Sequence, residues 1–280
     1  MIPAPFDYLR PATLDEALAA LASREDAKVL GGGHSLIPAM KLRLAQPRAL
    51  IDVSRITDLR YIRVQNGRVA LGAMTTHHEI ESSALLRERC PLLTELAPHI
   101  GDVQVRNKGT IGGSVVHADP AADWPAAILA LDAELEIAGP NGRRTVQAAD
   151  FFVDLMQTAV KSNEILYEIR VPATTKSVAY VKFAQKASGF AIAGVAVVVD
   201  KARKTVAVGV TGIAGKPYRA AAVEQALRGQ SLTRELIGIA ATKVSDGVAA
   251  LNDIHASSEF RLHLAQVNTR RAVELASSRA

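Results

Sequence analysis

Two glycine-rich segments decide how the fold is interpreted: Leu30-Gly31-Gly32-Gly33-His34-Ser35 and Thr110-Ile111-Gly112-Gly113-Ser114. Glycine has no side chain, so the backbone N–H groups of such a segment can approach and surround an anion. Two of them in one chain suggest that a diphosphate is held from both sides. Neither matches Gly-x-Gly-x-x-Gly or Gly-x-x-x-x-Gly-Lys-Ser/Thr, which excludes the usual dinucleotide and P-loop patterns. The spacing alone leaves phosphate binding and two structural turns equally open.

Residues 31–35, the first glycine segment, lie at the centre of a predicted β-α-β unit. Thr13-Leu14-Asp15-Glu16 has the pattern of a capping box and predicts a helix after it. Strands are predicted at residues 28–30 and 49–53, with a helix within residues 35–44 that begins after Pro38.

Residues 110–114, the second glycine segment, lie in a part of the chain that predicts hairpins and short helices. Asn66-Gly67 between two apolar stretches is typical of a hairpin. A helix is predicted over residues 124–131, with Asp123 as its cap and Pro125 in its first turn. Beyond it, three antiparallel strands are predicted at 180–187, 192–200 and 205–211, and helices at 220–227, 234–250 and 259–276. This mixture of hairpins and crossovers indicates the α+β class.

The composition excludes several classes of protein. The chain has 280 residues, of which 49% are hydrophobic and 22% charged, enough for a sizeable core and against disorder. Its net charge is +5, but aromatic residues make up only 4% and the basic runs are short, so no nucleic acid partner is expected. The N-terminus lacks the pattern of a signal peptide and no apolar run can span a bilayer, so no transmembrane segment and a cytoplasmic location are predicted.

Candidate catalytic and metal-binding side chains are weak. The single cysteine, Cys90, excludes a disulfide within the chain, a cysteine-rich zinc site and an iron–sulfur cluster, and it is interpreted as inert. His77 and His78 are adjacent, so their side chains diverge on a helix, and no metal site is predicted. His34-Ser35 lacks the glycine that a nucleophile elbow requires two residues after the serine. Asp119 and Asp123 would form a carboxylate pair, although a capping role is preferred for at least one. No catalytic residue is predicted.

The glycine segments and their neighbours resemble the FAD loops of the flavin subunits of molybdenum hydroxylases. The first resemblance extends from Leu30 through Leu36-Ile37-Pro38-Ala39-Met40-Lys41 to Arg43. The second joins Thr110-Ile111-Gly112-Gly113-Ser114 to His117-Ala118-Asp119-Pro120-Ala121-Ala122-Asp123. Tyr180-Val181-Lys182-Phe183 with Ala187-Ser188-Gly189-Phe190-Ala191 resembles the start of the C-terminal domain in that family. The resemblance covers nearly the whole chain and is close to the medium subunits of aerobic carbon monoxide dehydrogenase and xanthine-dehydrogenase-type enzymes.

This resemblance implies an α+β architecture: a two-subdomain FAD-binding fold of the vanillyl-alcohol-oxidase (PCMH) type, then a C-terminal three-stranded antiparallel sheet with helices. The implied limits are residues 1–55, 56–175 and 176–280. Core packing is the alternative for the two implied apolar residues, Ile100 and Leu166. The implied FAD-binding residues are Gly31, Gly32, Gly33, His34, Ser35, Thr110, Ile111, Gly112, Gly113 and Ser114 at the diphosphate, and Ile100, Asp123, Leu166, Lys182 and Phe190 elsewhere along the cofactor.

The function that the resemblance implies is electron transfer by an FAD-carrying subunit. Electrons would come from iron–sulfur clusters and leave to an external acceptor, which is NAD, a quinone or oxygen. The molybdenum cofactor and the clusters would lie on a large and a small partner subunit, in a dimer of heterotrimers. The alternatives are a stand-alone FAD-dependent oxidase or dehydrogenase acting on a small organic substrate, and a binding module whose glycine turns are structural.

Overall fold

Three sheets of three or more strands organise the chain in this computed structural model, which describes residues 1–174 and 177–279. The strand orders are β1-β3-β2, β4-β5-β10-β6-β7 and β11-β12-β13-β14, and a two-stranded hairpin β8-β9 stands apart. The predicted limit between residues 175 and 176 lies outside the described residues. The strands are β1 (Asp7–Leu9), β2 (Ala27–Leu30), β3 (Ala49–Asp52), β4 (Ile62–Gln65), β5 (Arg68–Gly72), β6 (Glu134–Gly139), β7 (Gly142–Gln147), β8 (Phe152–Asp154), β9 (Gln157–Thr158), β10 (Ile165–Pro172), β11 (Ser177–Ala184), β12 (Ala191–Asp200), β13 (Thr205–Thr211) and β14 (Tyr218–Arg219).

Twelve α-helices lie in the described part of the chain, with 3-10 turns at Thr57–Leu59 and Ala97–His99. Most of them are short, and only the last exceeds nine residues. The helices are α1 (Leu14–Ala22), α2 (Leu36–Lys41), α3 (His77–Ser82), α4 (Ala84–Arg89), α5 (Pro91–Leu96), α6 (Val103–Lys108), α7 (Ile111–His117), α8 (Trp124–Ala130), α9 (Ala148–Phe151), α10 (Ala221–Leu227), α11 (Arg234–Ala241) and α12 (Ser258–Ser278).

The first sheet contains the predicted β-α-β unit. Strands β2 and β3 pair in parallel, and the first glycine segment and helix α2 connect them. Helix α1 begins at the predicted capping box, where the Thr13 hydroxyl accepts the N–H of Glu16. Ala17 and Leu21 of this helix pack against Ile51 of β3 in the local core. The prediction of this unit from the sequence is confirmed, and the strand β1 at its edge is an addition.

The middle sheet is antiparallel and forms around the predicted hairpins. Asn66 and Gly67 both have positive φ, at 52° and 71°, as a tight turn between twisted strands requires. Strand β10 lies at the centre and pairs with β5 on one side and β6 on the other. Helices α3, α4, α5, α7 and α8 belong to the same core, which includes the fully buried Trp124 and Phe151.

The C-terminal sheet has four strands, so the prediction of three was incomplete. The three long strands form, but β11 covers Ser177–Ala184 where 180–187 was predicted, and the two-residue strand β14 adds to the free side of β13. Two residues are too few to show the alternation by which a strand is recognised in a sequence. Helices α10, α11 and α12 pack against the valine-rich face of this sheet.

Two helix predictions were wrong at one end. Helix α2 contains Pro38, because the first turn of a helix does not use the N–H that proline lacks. Helix α11 ends at Ala241 and not at residue 250, and the following residues form tight turns that lead to Gly247 with φ of 73°. A left-handed glycine of this kind interrupts a helix.

Helix α8 joins the middle sheet to the C-terminal sheet. Every residue of α8 is buried. A Cβ atom added to Gly209 of β13 would lie 2.0 Å from the carbonyl oxygen of Ala126, so only glycine allows this strand to lie against the helix. Arg219 of β14 adds a hydrogen bond of 2.9 Å from Nη1 to the carbonyl of Leu129. The residues just before α8 contact the C-terminal sheet as well, because Gly212 and Ala191 donate their N–H groups to the carbonyls of Pro120 and Ala121.

Candidate cofactor site

Both glycine segments line one cavity of about 510 Å³, which also touches the C-terminal part at Ser188, Gly189 and Phe190. The cavity collects most of the residues predicted from the sequence, although they come from positions far apart in the chain. Ile111 and Lys182 are the two predicted residues that do not line it. The predicted residues on its wall are Gly31, Gly32, Gly33, His34, Ser35, Ile100, Thr110, Gly112, Gly113, Ser114, Asp123, Leu166 and Phe190.

The first glycine segment is a true loop between β2 and α2. Gly33 has φ of 76°, a left-handed conformation that favours glycine. Within the described residues, no backbone N–H from residue 31 to residue 35 donates to a protein acceptor, whereas the carbonyls of Gly33 and Ser35 accept bonds from α2. The loop therefore presents a row of unpaired N–H donors beside the cavity.

The second glycine segment is a helix and not a loop, which corrects the sequence interpretation. Helix α7 begins at Ile111, and Thr110 is its N-cap. The Thr110 hydroxyl accepts the N–H of Gly113 at 3.2 Å, and its carbonyl accepts the N–H of Ser114 at 3.0 Å. Adjacent glycines disfavour a helix in isolation, so the helix depends on this cap and on tertiary contacts.

The first two N–H groups of α7 are also used within the protein. Ile111 donates to the carbonyl of Thr75 at 3.0 Å. Gly112 donates to the carbonyl of Ala73 at 2.9 Å, and a Cβ added to Gly112 would lie 2.5 Å from the Cβ of Ala73. Gly112 is therefore required for close packing. What this segment offers to a ligand is the positive end of a short helix, the exposed Gly113 and the unbonded Ser114 hydroxyl.

The two glycine segments touch at the edge of the cavity. A Cβ added to Gly32 would lie 2.1 Å from the carbonyl oxygen of Lys108 and 2.6 Å from the Cα of Gly109. A Cβ added to Gly31 would lie 3.1 Å from the Thr110 hydroxyl oxygen. The absence of side chains brings the two backbones together, so a ligand bound by one segment is in reach of the other.

Asp123 is a buried ion-pair partner and does not cap helix α8 as predicted. Its side chain accepts no bond from the helix. Instead its carboxylate accepts hydrogen bonds of 2.5 Å from the Tyr180 hydroxyl and 2.9 Å from Lys182 Nζ. Lys182 Nζ also donates to the carbonyl of His99 at 2.9 Å. The local capping rule failed because partners 57 and 59 residues away supply stronger, charge-assisted bonds.

This cluster places one nearly buried ion pair beside the cavity. The Lys182 and Asp123 side chains are 2% and 5% exposed. Burial raises the pKa of Asp123, and the nearby Lys182 ammonium and Tyr180 hydroxyl oppose that rise. Burial and the adjacent carboxylate hold the pKa of Tyr180 well above its ordinary value, so its hydroxyl stays a donor. Lys182 does not line the cavity itself. It contacts Asp123, which does.

Sequence reasoning missed Tyr180 and His77. Tyr180 and Lys182 are two positions apart in strand β11, so they share one face of the sheet, and this alternation was a usable signal. His77 lines the cavity and accepts the indole N–H of Trp124 on Nδ1 at 3.0 Å. Nothing in the local sequence marks that contact, because the two residues are 47 positions apart.

The residues present fit a flavin dinucleotide. Unpaired backbone N–H groups and a helix N-terminus suit a diphosphate. Ile100, Leu166 and Phe190 provide apolar wall for a ring system, and Asp123 with Lys182 adds a charged end. Metal ligation has no comparable basis, since the described residues contain no group of three or more His, Cys, Asp or Glu placed to hold an ion. Cys90 is buried, and burial raises the pKa of its thiol to about 12.

Comparison with known proteins identifies the family of this chain. Residues 4–174 match the family described as the FAD binding domain in molybdopterin dehydrogenase, and residues 178–276 match the CO dehydrogenase flavoprotein C-terminal domain. The chain therefore belongs to the family of FAD-binding subunits of molybdopterin dehydrogenases. The predictions of the family, of the FAD cofactor and of an oxidoreductase subunit are confirmed.

Individual relatives are similar over their whole length. The carbon monoxide dehydrogenase medium chain of Hydrogenophaga pseudoflava is 40% identical, with 100% of this chain and 99% of that protein covered. The nicotine 6-hydroxylase medium subunit of Paenarthrobacter nicotinovorans is 34% identical, with 97% of each covered. A solved structure of carbon monoxide dehydrogenase from H. pseudoflava, lacking the Mo-pyranopterin moiety, has a TM-score of 0.97 at 42% identity, with 100% of both chains covered. The predicted fold class is confirmed, with the fourth strand as its correction.

No helix among residues 1–174 and 177–279 has both the length and the apolar character needed to cross a bilayer.

Proposed function

We propose that the chain holds FAD in the cavity between its glycine segments and serves as the electron-transfer subunit of a multi-subunit molybdenum hydroxylase. The observation that carries this proposal is the meeting of both glycine segments at one cavity, in a chain of this family. Electrons would arrive from iron–sulfur clusters on a partner and leave to NAD, a quinone or oxygen. Bound flavin supplies the redox chemistry, because it can join one-electron carriers to two-electron acceptors.

The residues of this chain bind and orient the cofactor. We propose that the unpaired N–H groups of residues 31–35 hold the diphosphate, and that Gly113 and Ser114 contact it from the other side. Ile100, Leu166 and Phe190 would pack against the ring system. Asp123 and Lys182 would fix the polar end of the cofactor, because each is held in place by the other and by buried hydrogen bonds. Thr110 and Ile111 would act through the helix that they begin.

The missing redox centres are proposed to lie on partner subunits. A single cysteine cannot ligate an iron–sulfur cluster of the common four-cysteine type. The relatives are called medium chain and medium subunit, terms for one component of a larger enzyme. We therefore propose a large molybdenum-cofactor subunit, a small iron–sulfur subunit and a dimer of such heterotrimers, in the cytoplasm.

The proposed domain limits remain residues 1–55, 56–175 and 176–280. Their support is that each of the three larger sheets lies inside one of these segments.

The test of this function uses the full chain, refolded or purified with excess FAD and separated from free flavin. We expect a yellow protein that releases about one FAD per chain on acid treatment, and no turnover of candidate organic substrates by this chain alone. Purified from its source cell, the chain should be recovered together with an iron–sulfur subunit and a molybdenum subunit. A folded chain that takes up no FAD would overturn the proposal, and substrate turnover by the isolated chain would favour the stand-alone oxidase.

A further inference from the structure

His77 is a buried histidine on the cavity wall whose protonation is fixed by a neighbour. It begins helix α3, is 4% exposed, and its backbone N–H donates to the carbonyl of Gly109 at 3.0 Å. Trp124 Nε1 donates to Nδ1 at 3.0 Å. An indole N–H only donates, so Nδ1 must accept and carries no proton. The neutral ring therefore holds its proton on Nε2.

The ring is also held in the neutral state. Burial lowers the pKa of His77 to about 4, and the electrostatic interactions of its ring with His34 and Arg106 lower this pKa as well. Protonation of Nδ1 would set two N–H groups against each other and break the bond from Trp124. At neutral pH, His77 is thus a hydrogen-bond donor without a charge.

The free N–H of this ring faces the place where the glycine segments meet. A Cβ added to Gly109 would lie 2.8 Å from His77 Nε2, and the same Gly109 is the residue against which Gly32 packs. His77 lines the cavity, and Nε2 has no acceptor among the described residues. This N–H is therefore a donor on the cavity wall that the described residues leave available, and a ligand in the cavity can supply its acceptor.

We infer that His77 binds the cofactor by donating its Nε2–H to a phosphate oxygen of the diphosphate. This inference rests on the proposed function, because the acceptor belongs to FAD. A neutral donor adds one directed bond to the anion beside the N–H groups of residues 31–35. The competing explanation is that His77 serves only as the acceptor for Trp124 and so joins helix α3 to helix α8.

Two substitutions separate these explanations, since each keeps one of the two ring functions. His77→Asn places a polar atom near the Nδ1 position and keeps an acceptor for Trp124, but removes the donor into the cavity. His77→Gln places an amide N–H near the Nε2 position and gives up the acceptor. The exposed neighbour provides the control, His78→Asn, because His78 is outside the cavity wall. The measurement is the dissociation constant of FAD for the deflavinated full chain.

We expect His77→Asn to weaken FAD binding by roughly tenfold to a hundredfold, the range of a bond to a charged acceptor, and His77→Gln to retain most of the affinity. His78→Asn should equal wild type. The reverse order, with Asn binding FAD better than Gln, or equal affinities for all variants, would overturn the inference. A wild-type chain that binds no FAD would instead overturn the proposed function on which it rests.

A second measurement needs no substitution. In the full chain labelled with 15N-histidine, the nitrogen spectrum of His77 should show a protonated Nε2 and an unprotonated Nδ1. Addition of FAD should move the Nε2–H proton resonance downfield, as a new bond to an anionic oxygen requires, and leave Nδ1 unchanged. A resonance that FAD does not move, or a proton found on Nδ1, would overturn the inference even if every variant unfolds.

Discussion

The two glycine segments border the same cavity, yet their glycines answer different physical needs. In residues 31–35 the backbone N–H groups find no acceptor in the part of the chain that the structure describes, and Gly33 adopts a left-handed conformation. In residues 110–114 the segment begins a helix whose first N–H groups all have protein acceptors, and Gly112 lies against Ala73. The first segment is organised for a ligand, and the second is organised for packing.

This difference shows that similar glycine motifs do not have interchangeable roles. Substitution of Gly112 in the second segment should act mainly on folding, whereas substitutions in the first segment should weaken cofactor binding. The second segment is also followed by the buried Asp123 and its partners, which have no counterpart beside the first segment among the ion pairs of residues 1–174 and 177–279. Each prediction below tests one part of this contrast.

The largest effect is expected at the ion pair beyond the second segment. Lys182→Met leaves Asp123 buried without its cation, which should lower the free energy of unfolding by about 3–5 kcal/mol at pH 8. Burial already raises the pKa of Asp123, and loss of Lys182 raises it further. The folded variant therefore keeps a proton that the unfolded chain loses above about pH 4, so its stability falls as the pH rises.

Urea unfolding at pH 5 and pH 8 measures this effect, with a smaller loss expected at pH 5. Lys28→Met is the matched control beside the first segment, because Lys28 is an exposed lysine at the same cavity. It should change stability by less than about 0.5 kcal/mol. An equal loss for Lys182→Met at both pH values would contradict the assignment of a buried charge to Asp123.

The second-largest effect is expected inside the second segment. Gly112→Ala forces a methyl group to within 2.6 Å of the Ala73 carbonyl oxygen, and should destabilise the fold by about 3 kcal/mol. Gly113→Ala, one residue further, meets only the Thr110 hydroxyl oxygen at 2.9 Å, and alanine favours the helix. Because that oxygen caps the helix and must shift, this control should lower the thermal midpoint, but by less than Gly112→Ala, and it should weaken FAD binding. Equal thermal unfolding midpoints for the two variants would contradict a packing role for Gly112.

A smaller effect on folding is expected in the first segment. Gly33→Ala places a side chain at φ of 76°, which costs about 1–2 kcal/mol. Gly67→Ala matches this strain at φ of 71° in a hairpin turn far from the cavity, with no atom near the added Cβ. Both should lower stability similarly in thermal unfolding. Only Gly33→Ala should weaken FAD binding in a flavin titration, and a similar weakening by Gly67→Ala would argue against the ligand role of this loop.

The smallest effects are expected at the hydroxyl groups that each segment presents. Ser35→Ala and Ser114→Ala remove side chains on the cavity wall that make no hydrogen bond within the described residues. Each should weaken FAD binding by about 2–10-fold without a change in thermal midpoint. If only Ser35→Ala weakens FAD binding, the Ser114 hydroxyl does not contact the cofactor, and the second segment contributes only its packing and its helix N-terminus.

The sequence predicted those features that depend on neighbouring residues. The capping box at Thr13, the turn at Asn66-Gly67 and the β-α-β unit around the first segment are local, and all three formed. Helix α7 was missed because two adjacent glycines have low helix propensity, while Thr75 and Ala73 supply its acceptors from a distant position.

The cofactor site follows the same division. The glycine segments were found from their motifs, and the cavity brings them together. Asp123 was predicted to cap a helix, and this was wrong because Tyr180 and Lys182 approach its carboxylate from another sheet. His77 was dismissed as a metal ligand, and its role depends on a Trp124 contact that no spacing rule reveals.

The partners of Asp123 have a consequence for how such proteins evolve. The two family matches divide the chain between residues 174 and 178, so Asp123 belongs to one part and Tyr180 and Lys182 to the other. Recombination that joined the first part to the C-terminal part of a distant relative would set a new β11 against the old carboxylate. Unless the new β11 had a hydroxyl group and a cation at the positions of Tyr180 and Lys182, Asp123 of the chimera would be buried without partners. Exchange of one part alone would therefore lower the stability of the protein, and this ion pair favours inheritance of the two parts together.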